Sequence, residues 1–143
     1  DLAFFGEKDW QQLAVIRRMA RDLDLVSPRA AAIHGVATVR EADGLAMSSR
    51  NAYLSSEDRA RAAALPRLMR ETIDAVMAGR PMNEALAALG NGLLEAGFAA
   101  IDYAEIRSAE TLAPVTALAA GPARLLVAAR IGGARLIDNM PIA

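Results

Sequence analysis

The chain has 143 residues, a formal net charge of −1 and no cysteine. That length makes one ordinary domain or two small pieces of a larger enzyme, and 16 basic against 17 acidic residues set up no field that would hold nucleic acid or an anionic membrane. Without thiols there is no disulfide scaffold, no thiolate zinc site and no thiol nucleophile; a cytoplasmic protein fits, no apolar run nears the roughly 18 residues of a membrane span, and no basic-then-apolar leader opens the chain.

Residues 2–5, Leu-Ala-Phe-Phe, read as a short buried strand that starts almost at Asp1. A strand so close to the first residue leads us to expect that the chain is the downstream part of something longer. Gly6-Glu7-Lys8 is a turn, and Asp9 opens a helix, with Gln12 at capping-box spacing. Leu13, Ile16, Met19, Ala20 and Leu23 recur at helical spacing, so the helix runs to about Leu23. Ser27-Pro28 breaks the chain, and residues 30–36 form a second strand. Strand, turn, helix, strand is a βαβ unit and implies a parallel sheet.

Residues 39–54 are polar and aperiodic and read as a loop crossing between two domains. Ser55 or Ser56 caps a helix that reaches about Met77, with a break at Pro66, and Gly79 stops it. Pro81 starts another, ending near Glu95. Residues 100–107 and 124–131 are strands. Gly132-Gly133 is a hairpin signal, and residues 134–139 return. The fold expected is α/β: residues 1–40 as the end of a Rossmann-like nucleotide-binding domain, residues 41–143 as a small α+β lid domain.

Lys8 is the single lysine against fifteen arginines. It sits between a strand's carboxyl end and a helix start, where open α/β sheets bind ligands and helix amides favour an anion. Its ammonium suits phosphate, and Gly6 lets a ligand approach the backbone. The same residues also read as a surface turn with a solvated lysine, the reading that spacing alone favours. Met47-Ser48-Ser49-Arg50-Asn51 offers hydroxyls, an amide and a bidentate anion fork, on a loop that Gly44 allows to move; a capping linker is the other reading. Gln12 points to a substrate hydroxyl or carboxylate, or is only the capping partner. His34 has no partner at ligand spacing and reads as structural, so no metal ligand set is expected here. Trp10 reads as packing, Arg59, Arg61, Arg67 and Arg70 as a solvated helix face, and Asp138 and Asn139 as the end of the hairpin, serving turn hydrogen bonds.

These segments together resemble a known family. Phe5-Gly6-Glu7-Lys8-Asp9-Trp10-Gln11-Gln12-Leu13, then Thr38 to Asn51 with Met47-Ser48-Ser49-Arg50, then Tyr53-Leu54, and the tail 125–130 with Leu136-Ile137-Asp138-Asn139, resemble the pantothenate synthetase (pantoate–β-alanine ligase) family, in order and over the whole chain. The resemblance implies ATP-dependent ligation of pantoate and β-alanine through a pantoyl adenylate, with magnesium accompanying ATP, and a homodimer at full length. By position, Lys8 would bind the phosphates and Gly6, Glu7 and Asp9 the nucleotide beside them. Val39 and Met47 would meet adenine through backbone groups, and Ser48, Ser49 and Arg50 would clamp the phosphates. Lys8, Ser48 and Arg50 are the expected catalytic residues, and Gln12 would hold pantoate. The family's upstream half is absent from these residues; it carries the His-rich ATP signature, most pantoate and β-alanine contacts and the acidic residues near magnesium. The chain alone is therefore expected to be inactive. Residues 26–38 form a longer connection than the family's usual one, and Ala37 stands where Pro is usual. Two rival readings stay open: a non-catalytic remnant or dimerisation module, and another adenylyl-transferring ligase.

Overall fold

The opening βαβ unit forms as the residue pattern predicts, with its edges redrawn by local chemistry. In the computed structural model, which describes residues 1–118 and 121–142, β1 (Ala3–Gly6) pairs in parallel with β2 (Ile33–Val36). Between them a 3₁₀ turn, Glu7–Asp9, leads into α1 (Trp10–Asp22). The expected capping box does not form: Asp9 occupies the cap position but makes no side-chain capping bond. Asp9 takes φ −96° and ψ 61°, outside the extended geometry that a capping residue adopts. The second strand is shorter than expected because Ala30–Ala32 wind into a 3₁₀ turn; a run of alanines favours helical over strand geometry. Leu13, Ala20 and Ile33 form a small core, with Phe5, Trp10 and Ile16 packed on it.

The segment that reads as an aperiodic loop is ordered at its neck. Arg40 bridges Ala46 in antiparallel fashion, the Met47 N–H donates to Val39 O at 2.9 Å and the Glu41 N–H to Leu45 O at 2.8 Å. Gly44 turns this hairpin with φ +88° and the Arg70 guanidinium packs where a Cβ would stand. A 3₁₀ turn, Ser49–Tyr53, follows.

The helix expected from Ser55 to Met77 is two, α2 (Ser56–Ala62) and α3 (Ala64–Met77). The break falls at Ala63, not at Pro66. Pro66 lies in the first turn of α3, where its missing N–H is harmless; its ring excludes the carbonyl four residues back, that of Ala62, so the discontinuity falls there. Ser55 caps α2, accepting from the Asp58 N–H at 3.1 Å. Helix α4 (Met82–Glu95) then leads to an antiparallel sheet ordered β3 (Ala100–Ser108), β4 (Ala123–Ile131), β5 (Ala134–Ile142). Gly132 (φ 55°) and Gly133 (φ 77°) make the tight turn of the β4–β5 hairpin.

Alternation sorts the sheet into two faces. Leu125, Val127, Ala129 and Ile131 of β4 join Leu65, Met69, Leu89 and Leu93 of α3 and α4 in the main core. The opposite face receives the start of α1: Trp10 Nε1 donates to Ala109 O at 3.0 Å, and Gln11 Nε2 to the Tyr103 hydroxyl at 3.1 Å. The small opening unit thus lies against the sheet face away from the helices.

Candidate functional site

Lys8 follows the carboxyl end of β1, and the hairpin at 40–46 delivers the Ser-Ser-Arg turn beside it. Lys8, Ser48, Asn51 and Arg135 line one pocket, with Leu45, Leu65 and Leu136 in its wall. Two segments far apart in the chain are therefore brought together. Ser48 Oγ accepts from the Arg50 N–H at 3.2 Å, which winds the turn. Asn51 Nδ2 donates to Ala46 O at 3.1 Å, while its Oδ1 is buried with no partner among the described residues. Ser49 and Arg50 are exposed on the same turn. Val39 and Met47 are side by side through their backbone pairing and are 64% and 49% exposed. Gly6, Glu7 and Asp9 flank Lys8 along the chain. Gln12 is exposed on the first turn of α1 and does not line the pocket. His34 is exposed, its ring 5.5 Å from that of Phe4, away from this pocket.

The pocket is held by polar groups that the residue pattern did not single out for this work. Asp138 and Asn139 are not turn residues; they lie inside β5 and each is 2% exposed. A strand two or three residues longer than expected puts them in its body, where side chains alternate between faces. Asp138 takes a bidentate pair from Arg40, at 2.7 and 2.9 Å, and Arg40 also donates to Gly44 O at 3.0 Å. Asn139 donates to the Glu7 and Lys8 carbonyls at 2.8 and 2.9 Å and accepts from Arg124 Nε at 2.8 Å. Arg124 itself lies 3.7 Å over the Trp10 ring and 3.8 Å from a Glu7 oxygen, so Trp10 is a cation platform as well as packing. Burial lowers the pKa of that guanidinium from its ordinary value, though Glu7 and Asp138 favour its charge. Gly35 admits Glu7 to this cluster: a Cβ there would stand 2.7 Å from Glu7 Oε1. The signal available in the residues was a polar pair inside an apolar run, Leu136-Ile137-Asp138-Asn139-Met140.

The neck of the hairpin has a second tether. Arg59 donates to Asp43 at 2.6 and 3.2 Å and holds that carboxyl below its ordinary value. Arg61 and Arg67 make helix-surface pairs with Glu57 and Glu71. Among the described residues, no group of three or more His, Asp or Glu is placed to hold a metal ion.

The arrangement is a lysine at a strand-to-helix turn facing a Ser-Ser-Arg turn across a small pocket. The family model for pantoate-β-alanine ligase matches residues 1–141. The chain belongs to that family. A pantothenate synthetase of Novosphingobium aromaticivorans is 59% identical over 142 residues, which is 99% of this chain and 50% of that protein. The crystal structure of pantothenate synthetase from Thermus thermophilus superposes with a TM-score of 0.85 at 47% identity, over 98% of this chain and 49% of that one. A pantoate-β-alanine ligase from Francisella tularensis, complexed with β-γ ATP and β-alanine, matches with a TM-score of 0.66 at 26% identity, over 96% of this chain and 42% of its own. The chain thus spans about half the length of the pantoate-β-alanine ligases it matches. No helix among its described residues is long and apolar enough to cross a membrane.

Proposed function

We propose that this chain supplies the phosphate-binding turn and the lid of a pantoate–β-alanine ligase, which forms pantothenate from pantoate, β-alanine and ATP. The observation that carries the reading is the meeting of Lys8 and Ser48 in one pocket inside a chain of this family. Among the described residues Lys8 makes no ion pair, so its charge is available to an anion.

In the proposed reaction a pantoate carboxylate oxygen attacks the α-phosphorus of ATP, the bond to the bridging oxygen breaks, and pyrophosphate leaves. The β-alanine amine then attacks the acyl carbon of the adenylate, a proton is lost from nitrogen, and AMP departs. Charge grows on the phosphate oxygens in the first step, and preorganised cations and donors stabilise that growth. Lys8 would supply a point charge and Arg50 a bidentate fork, with the Ser48 and Ser49 hydroxyls completing the clamp. Since the Met47 N–H is already bonded to Val39 O, adenine would be met by the Val39 N–H and the Met47 carbonyl. Gly6, Glu7 and Asp9 would border the nucleotide, and Gln12 would bond pantoate. Magnesium would neutralise phosphate charge; the described residues hold no acidic cluster for it, so its protein ligands are assigned to residues outside this chain. Residues 1–40 would complete a Rossmann-like domain and residues 41–143 the lid, in a cytoplasmic homodimer. The 143 residues alone would not turn over.

The test is AMP release with ATP, magnesium, pantoate and β-alanine, using the longest natural product that contains these residues. Lys8→Ala should lower the rate by about 10²-fold or more, the scale of losing one transition-state charge partner. Full activity in that variant, or β-alanine-dependent AMP release by the 143-residue chain itself, would refute the corresponding part of the reading.

A further inference from the structure

We propose that Asn139 is a positioning residue for Lys8: its side-chain amide, reaching across from β5, fixes the two peptide units on either side of the Lys8 Cα and so aims the ammonium. The inference rests on the phosphate-binding role of Lys8 given above and adds the group that sets its direction.

The direction of a Cα–Cβ bond is set by the two planar peptide units that meet at that Cα. The Glu7 carbonyl belongs to the plane before the Lys8 Cα and the Lys8 carbonyl to the plane after it. Asn139 Nδ2 donates to both, at 2.8 and 2.9 Å. The amide is not free to turn over, because Arg124 Nε donates to Oδ1 at 2.8 Å and requires an oxygen there. Arg124 is fixed in turn against the Trp10 ring at 3.7 Å. Neither end of the Glu7–Asp9 turn is closed by a local side chain: Gly6 and Asp9 make no capping bond. The turn that presents Lys8 is therefore held from another element. Asn139 is 2% exposed, and a buried amide with all these partners gives a stiff support.

The neighbouring residue does the same for the other half of the pocket. Asp138 grips Arg40 with two bonds, and Arg40 holds Gly44 O at the hairpin tip. Successive residues of one strand thus tether the lysine turn and the hairpin that leads into the Ser-Ser-Arg turn.

Lys8 is the only lysine of these 143 residues, and in the longer product its signal is identified by its loss in Lys8→Arg. Reductive methylation with ¹³C-formaldehyde labels the lysines and the amino terminus, whose lower pKa sets its signal apart. The longest natural product that contains these residues is titrated with ATP, and the Lys8 methyl shift is recorded for wild type, Asn139→Ala and Val76→Ala. Alanine is chosen because it adds no charge near the anion. Val76 is a buried core residue of α3 and serves as the control for general loss of stability. Asn139→Ala should raise the half-saturating ATP concentration about tenfold, as misaiming a positioned group does, while Val76→Ala stays within about twofold of wild type. A wild-type Lys8 signal that ATP does not move would overturn the phosphate role of Lys8 and this inference with it. If wild type responds and Asn139→Ala follows the same curve, or Val76→Ala loses as much, the positioning role alone falls.

Discussion

Asp102 shows what a single side chain contributes here. It accepts from Arg130 at 2.9 and 3.1 Å and from Arg135 at 2.5 Å, and these two guanidiniums hold its carboxyl down to about 2 from an ordinary 3.8. A carboxyl whose folded value is depressed stabilises fully above its unfolded value and loses that contribution as pH falls through the folded one. The thermal midpoint of Asp102→Asn should therefore lie below wild type by a constant amount above about pH 5, with the gap closing between about pH 4 and 2; a gap independent of pH would contradict the assignment. Gly6 makes a different case. Its φ of −65° suits any residue and nothing lies within 4 Å of a Cβ built there. Neither backbone nor packing requires glycine, which fits the proposed approach of a ligand. Gly6→Ala should raise stability by about 0.4–1 kcal/mol, through a stiffer unfolded chain, while weakening ATP use by the longest product; thermal melts beside AMP release would show the split. Lys8 can be picked from the residues because it is the one lysine and follows a strand. Asn139 stands out only as half of a polar pair in an apolar run; its partners lie 131 and 132 residues away, and no local pattern encodes them.

Elements are legible where their cause is local. The β4–β5 hairpin follows from two adjacent glycines, and both take left-handed φ. Their substitutions should separate: Gly133→Ala meets open space, whereas at Gly132 a Cβ would stand 2.6 Å from Asp58 Oδ2. Both lose about 1–2 kcal/mol to left-handed backbone, and Gly132→Ala should lose more, read from denaturant midpoints. The α2–α3 break falls ahead of Pro66 because proline acts on the turn before it; the weak Ala63 N–H to Ala60 O bond, 3.4 Å, marks the discontinuity. Ala30–Ala32 leave the expected strand, since three residues without side-chain bulk have nothing to hold them there. The short hairpin at 40–46 has a local turn signal in Asp43-Gly44, but side chains from other elements, Arg59, Arg70 and Asp138, complete it.

At the scale of the molecule, two cores of unequal size meet across the antiparallel sheet. The two-stranded parallel sheet leaves Leu2, Phe4 and Val36 between 47% and 65% exposed, and Leu23 and Val26 nearby in the chain are also open. Exposed apolar side chains in this number favour association. Sedimentation velocity should show concentration-dependent self-association of the 143-residue chain, reduced in Phe4→Ser; a single species unaffected by concentration would contradict this. The division of labour between the Lys8 turn and β5 also bears on how the protein is made. Translation proceeds at about 5–20 residues per second, so Lys8 precedes Asn139 by on the order of ten seconds. Throughout that interval the nascent chain carries every residue of the lysine turn without the amide that sets its direction. A ribosome stalled before Asn139, or a protease that cuts within β5, would leave a chain that keeps both its Lys8 turn and its Ser-Ser-Arg turn yet holds its lysine on an unguided backbone.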